Sequence, residues 1–242
     1  TVLPALMIAP EPSCVIIEGG THNPFAPPFD FLEAAFVPLV NRMGPRIAVV
    51  LERPGFYPEG GGRICATIEP SQTLSALDLT ERGALVRRSA RALVSHLPKS
   101  IADRELRVVR KLLQVRRDAC EAVELTDAAG PGNVLFITIE HQRVTEVFTG
   151  FGQRGLPAEA VANRAARAAK EYLSSGAAVG PNLADQLLIP LALAGVGQFT
   201  TLAPSEHMTT NIAVIKKFLD VPMDLRQIDA AQWQLCVSEP AA

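Results

Sequence analysis

ADQLLIPLALAGVGQFTTLAPSEHMTTNIAVIKKFL, residues 184–219, is the stretch that decides the fold. Ala184 to Ala194 is almost wholly apolar, which predicts a buried helix. Gln198 to Leu202 predicts a strand, and Ala203-Pro204-Ser205-Glu206 breaks it as a loop. A second helix is expected from about His207 to Leu219. Two β-type runs follow, Met223 to Ile228 and Trp233 to Val237.

Working outward, residues 1–69 repeat that order. Cys14 to Ile17 is a short β-type run ending at Gly19-Gly20, and a proline-rich loop leads into Phe29 to Arg42. There Phe29, Leu32, Phe36, Leu39, Val40 and Met43 fall at helical spacing before Gly44. Strands at Ile47 to Leu51 and Ile64 to Ile68 flank the loop Arg53 to Gly62. Helix, strand, loop, helix, strand, strand therefore occurs at 1–69 and again at 184–238, a match of pattern with negligible identity. Between the copies the composition changes. Arg82 to Arg117 is rich in arginine, with an amphipathic helix from Ser100 to Leu113. Gly130-Pro131-Gly132 opens a hairpin of Val134 to Glu140 and Val144 to Phe148, and Pro157 to Leu173 is a helix. The expected division is 1–81, an inserted block at 82–178, and 179–242.

The 242 residues can bury a large core, and 48% hydrophobic with 20% charged residues is an ordinary globular balance. No segment approaches the roughly 20 apolar residues that cross a bilayer. A net charge of −2 and a pI near 6.1 give no general basic field for long duplexes, yet leave room for an enzyme that grips only the end of a strand. Cys14, Cys65, Cys120 and Cys236 are scattered, so they are expected to be buried thiols of a reduced, cytoplasmic protein. Thr1 runs directly into apolar Val2 to Ile8, and the expectation is a sequence that begins part-way through a longer chain.

His96 and His141 have ordinary neighbours at the edges of β-type segments. His22 lies in a Gly/Pro loop. His207 stands at a loop–helix junction within Pro204-Ser205-Glu206-His207-Met208-Thr209-Thr210-Asn211. A helix N-terminus offers unpaired N–H groups and a positive dipole end, which favour phosphate, and that field also favours a neutral, nucleophilic imidazole. The alternative is that His207 or Ser205 merely caps the helix. Gly60-Gly61-Gly62 lacks the lysine of a phosphate-binding loop and is equally a hairpin turn. Asp185 and Gln186 could cap a helix or present a carboxylate and an amide to a base or ribose.

Taken in order, Gly19-Gly20-Thr21-His22-Asn23-Pro24-Phe25-Ala26-Pro27-Pro28, Gly55 to Gly62, Glu81-Arg82-Gly83, Gly130-Pro131-Gly132-Asn133, Leu183-Ala184-Asp185-Gln186-Leu187 and His207-Met208-Thr209-Thr210-Asn211-Ile212 resemble the RNA 3′-terminal phosphate cyclases. The resemblance implies an α+β fold of repeated β-α-β-α-β-β units with a small thioredoxin-like domain inserted in the last. It implies ATP-dependent conversion of RNA 3′-phosphate ends to 2′,3′-cyclic phosphates through AMP on His207, with a divalent ion (Mg or Mn) whose protein ligands are unassigned. Pro28, Asn182, Leu183, Ala184, Asp185 and Gln186 match positions around the adenylate. Loops 19–28 and 203–211 each follow the equivalent strand of a repeat, and stacking of the repeats is expected to bring them together. Asn182 departs from the family, standing where an aromatic residue can stack on adenine. The resemblance also implies that a first repeat, with residues for metal, RNA phosphate and nucleotide, is missing from this chain. Two rivals share the architecture. A non-catalytic relative in ribosomal RNA processing would lack His207, and an enolpyruvyl transferase would need clustered Lys/Arg that loops 19–28 and 203–211 do not have. A third reading is an interaction module with the Arg82–Arg117 block as its binding face, although a charge run of that kind is usually a solvated helix face.

Overall fold

The computed structural model describes residues 2–238, and the chain is α+β with its strands in three sheets. After a short helix, α1 (Leu3–Leu6), strands β1 (Ser13–Gly19), β2 (Arg46–Arg53) and β3 (Gly62–Glu69) form a sheet of order β1-β3-β2, antiparallel throughout. Register places Val15, Val49 and Ala66 side by side on one face, and Ile47 beside Ile68 on the same face. That face is covered by α2, a continuous helix built of Phe29–Phe31, Leu32–Phe36 and Val37–Asn41. Its middle is π-helical, with the Val37 N–H donating to Leu32. The cause is Pro38, which has no N–H for the carbonyl of Ala34, so the preceding turn widens.

A second sheet has the order β10-β11-β9-β4, from β4 (Leu77–Leu79), β9 (Gly197–Thr201), β10 (Met223–Gln227) and β11 (Trp233–Val237). β9, β11 and β10 pair antiparallel in the same sequence as β1, β3 and β2, while β4 runs parallel to β9. Two helices cover it, α5 (Pro181–Ala194) and α6 (Glu206–Phe218). α5 buries Leu183, Ala184, Leu187, Leu188 and Leu191, and α6 buries Met208, Ile212 and Ile215, all in one cluster with Phe31, Phe36, Val40 and Ile68. Burying each Leu, Ile, Met, Val or Phe of this set contributes about 1.5–3 kcal/mol, so this shared cluster holds both sheets on one core.

The third sheet, order β6-β5-β7-β8, comprises β5 (Leu85–Ser95), β6 (Cys120–Leu125), β7 (Gly132–His141) and β8 (Thr145–Phe151). β5 and β6 are parallel, and β7 is antiparallel to both of its neighbours. Helices α3 (Ser100–Leu113) and α4 (Ala158–Ser175) pack on one face through Leu106, Val109, Ala165 and Tyr172 against Ala92, Leu135 and Ile137. The other face, with Leu93, Val134, Phe136 and Val147, enters the main core. Burial on both faces explains the unbroken apolar run of β7.

The arginine block is not one solvated face. Arg82 donates to the carbonyls of Tyr172, Leu173 and Ala177 and lies over the Tyr172 ring, 4.8 Å from its centroid. Arg88 donates to Leu113. Both therefore satisfy the open carbonyls at a helix C-terminus, where a cation is favoured. The cysteines also differ from expectation: all four are free, Cys14 is exposed, and the others are half-buried. No helix among the described residues is long and apolar enough to cross a membrane.

Candidate functional site

α6 starts where it does because the Ser205 hydroxyl accepts the backbone N–H of Met208 at 3.1 Å. That cap puts His207 in the first turn, beside N–H groups with no helical partner. Met208 and Ile212 anchor the inner face of the helix, so His207 faces out and its side chain is 79% exposed.

Asp185 reaches the same place from α5. Leu183 and Ala184, wholly buried just before it, seat this end of the helix in the core. The Asp185 side chain is only 10% exposed; its Oδ1 lies 2.9 Å from His207 Nδ1 and accepts from Asn211 Nδ2 at 3.2 Å. Its Oδ2 accepts from Gln186 Nε2 at 3.3 Å. A carboxylate beside Nδ1 makes that nitrogen the donor, which leaves the lone pair of Nε2 pointing outward. Among the described residues Nε2 has no partner. The arrangement suits an imidazole that attacks through Nε2, with a carboxylate fixing its orientation and offsetting charge gained in the attack.

α5 is braced from below. Gly180, its N-cap, donates its N–H to Glu146 Oε1 at 2.5 Å, a bond from β8 to the start of the helix that carries Asp185. Glu146 is almost wholly inaccessible, and burial pushes its carboxyl up to about 8, with the Gly180 N–H acting in the opposite direction. Asn182 is exposed in the first turn of α5, and Gln186 is half-buried. Pro28, buried, begins α2, where its carbonyl accepts from Phe31 and Leu32. Hydrogen bonds unite His207, Asp185, Gln186 and Asn211; none ties Pro28 or Asn182 to that cluster.

The other histidines have other surroundings. His22 is 1% exposed, with Nδ1 2.7 Å from Thr21 Oγ1, Nε2 3.0 Å from Asp30 Oδ2, and its ring stacked on Phe56. Thr21 and His22 both donate backbone N–H to Gly55. A side chain at Gly55 would meet Gly62 N at 2.3 Å, so glycine is required there, and Gly60 and Gly61 turn the β2–β3 hairpin at positive φ. This loop is a turn that seats 20–28. Among the described residues no group of three or more His, Cys, Asp or Glu gathers to hold an ion, so these residues do not by themselves build the divalent-metal site that the resemblance implies.

Sequence reasoning missed Glu146 and the contact of Asn211. The signal for Glu146 was present, a lone carboxylate in the apolar run Val144 to Phe148. Asn211 sits four residues after His207, one helical turn on, which is the spacing that lets both touch one acceptor.

The family model described as RNA 3′-terminal phosphate cyclase matches residues 1–225. Curated proteins of that name are similar across nearly the whole chain. The Koribacter versatilis protein is 48% identical over 227 residues, 94% of this chain and 64% of its own length. Those of Pseudomonas fluorescens and Ralstonia nicotianae are 51% and 52% identical, matching 94% and 91% of this chain and 66% and 63% of their own lengths. The chain thus spans about two thirds of the length of the relatives it matches.

Proposed function

This chain belongs to the RNA 3′-terminal phosphate cyclase family, and from that premise we propose that His207 carries AMP during the ATP-dependent closure of RNA 3′-phosphate ends into 2′,3′-cyclic phosphates. One observation carries the reading: His207 is exposed in the first turn of α6 with Nδ1 held at 2.9 Å by Asp185. Nε2 attacks the α-phosphorus of ATP; an N–P bond forms, the bond to the β-phosphate oxygen breaks, and pyrophosphate leaves. An oxygen of the RNA 3′-phosphate then takes the adenylyl group, and the N–P bond breaks. The terminal phosphorus now has AMP as a leaving group, so the adjacent 2′-hydroxyl closes the ring, losing its proton and expelling AMP. One difficult displacement is replaced by easier ones.

The remaining assignments are part of the same proposal. Asp185 orients His207, Asn211 and Gln186 hold Asp185, and the first turn of α5 with Pro28 borders the adenylate. The equal strand order in the first two sheets supports reading β4-α5-β9-α6-β10-β11 as one β-α-β-α-β-β unit, and α1-β1-α2-β2-β3 as a second lacking its opening strand. Residues 82–178 are then an insertion, and its order β6-β5-β7-β8, with only β7 reversed, supports a thioredoxin-like fold.

The test is chemical. The protein is incubated with ATP labelled at the α-phosphate, denatured, and divided between acid and alkali. A phosphoramidate on His207 is lost in acid, survives alkali and is absent from His207→Ala. Label retained by His207→Ala, or an acid-stable adduct, overturns the assignment.

A further inference from the structure

A cavity of about 820 Å³ has a lining that includes none of His207, Asp185, Gln186 and Asn211. It is bounded by loops 22–25 and 56–58 on one side and by the small sheet with its two helices on the other. β5 and β8 both run toward it: Leu97 and Ile101 follow the end of β5, and Phe151 to Ala158 leads from β8 into α4. The first turns of α3 and α4 therefore both border the cavity. In open sheets the crevice beyond the carboxyl ends of parallel strands is where ligands bind, and two helix N-termini there favour an anion.

The charges agree with an anion. Arg104 and Arg154 line the cavity, and no carboxylate does. Arg104 is committed to Glu159 through two bonds, at 2.7 and 2.5 Å. Arg154 is exposed and forms no ion pair or side-chain hydrogen bond among the described residues. The buried acid Glu105 is bonded to the lining residue Asn133, which donates to it at 3.0 Å. The opposite wall is aromatic in an unusual way. Phe25 is 78% exposed and Tyr57 62%, with their rings edge to face at 5.5 Å, and Phe56 lies beneath. Two accessible rings beside free positive charge are what unstacked bases joined by phosphates require.

We propose that this cleft binds the single-stranded body of the RNA whose 3′ end is processed, with bases on Phe25 and Tyr57 and phosphates toward Arg154 and the first turns of α3 and α4. The inference rests on the RNA-end reading above and assigns a role to the inserted segment. Loop 20–28 carries Phe25 on the cleft wall and ends at Pro28, the position proposed above to border the adenylate.

The probe is a fluorescent 3′-phosphorylated single-stranded RNA of about 12 nucleotides, near the upper range of such sites, followed by anisotropy in a salt series. Phe25→Ala with Tyr57→Ala is expected to weaken binding at least tenfold, since stacking is lost at two bases. Arg154→Glu is expected to weaken it several-fold and flatten the salt dependence. Both sites are exposed, so thermal melting should match the parent, and labelling of His207 by ATP alone should be unchanged. Unaltered RNA affinity in the folded aromatic variant overturns the cleft, as does equal competition by an RNA duplex or an apolar peptide. Absence of ATP labelling in the parent would count against the adenylation reading and leave the cleft to be judged by its RNA affinity.

Discussion

His22 and His207 occupy matching places and have opposite surroundings. Each follows the first strand of a three-strand antiparallel set of the same order, His22 in the loop before the next helix and His207 in the first turn of its helix. His22 is sealed, with both ring nitrogens engaged and Phe56 against its face. His207 has one nitrogen held and the other in solvent. The helices differ to match. α6 has a side-chain cap in Ser205, whereas α2 begins at Pro28 without one, its first N–H donated instead to the Thr21 carbonyl. Matching strand orders thus lead to a sealed, fully engaged imidazole in one place and an exposed one in the other, and what separates them is access to Nε2.

Asp185→Asn gives the largest expected effect. The amide keeps the shape but turns an acceptor into a possible donor toward Nδ1, favouring the wrong tautomer and removing the charge. Adduct formation from labelled ATP should fall about 10²- to 10⁴-fold, by analogy with the carboxylate of a catalytic triad, with little change in stability. A loss under tenfold would mean that Asp185 merely packs beside the histidine.

His22→Ala should act in the opposite currency. Removing a buried, stacked, twice-bonded ring leaves a cavity and takes one partner each from Thr21, which keeps Gly55, and Asp30, which keeps Arg91, at a cost of about 2–4 kcal/mol in urea denaturation. The same substitution at His207, four-fifths exposed, should barely shift the midpoint. Equal stability losses at the two positions would erase the contrast.

The smallest effect concerns the brace under α5. Glu146 has a folded-state pKa raised to about 8 from an ordinary 4.5, so the folded state holds a proton that the unfolded state gives up. Stability should then fall as pH rises from about 4.5 to 8. Two other groups act nearby: Glu105, raised to about 7 by burial, slopes the same way, and His141, lowered to about 4 by burial, slopes oppositely below 6.5. The interval from pH 7 to 8 is left mainly to Glu146. Denaturation at pH 7 and 8 should show a decline of roughly 1 kcal/mol, the scale of one pKa unit, that Glu146→Gln removes. A decline that survives in that variant would assign the proton elsewhere.

Much of this was legible in the chain. The helix expected at Ser100–Leu113 has those bounds, and α2, α5, α6 and the β7–β8 hairpin fall within a few residues of their expected places. Apolar spacing was enough, because each of these elements buries a continuous stripe or face. β5 was hidden inside the arginine block, because Arg87, Arg88 and Arg91 mask the alternation of a strand whose charged side chains reach helix ends and edges. The His207–Asp185 bond was half legible. The junction pointed to His207, but nothing in a linear sequence says that a residue 22 positions earlier will meet its Nδ1, since that depends on how α5 and α6 cross.

Arg82 closes the segment between 82 and 178 at its base. By bonding Tyr172, Leu173 and Ala177 at once, it clasps the two strands of backbone through which residues 82–178 enter and leave. A segment whose ends are so joined can be spliced in or out of a gene without rerouting the rest. Its sheet, however, lends Leu93, Val134, Phe136 and Val147 to the core beneath. Excision would be simple for the path of the chain and ruinous for its wetting, because a greasy floor would be laid bare. A segment can thus be closed at its ends and still be indispensable along one face.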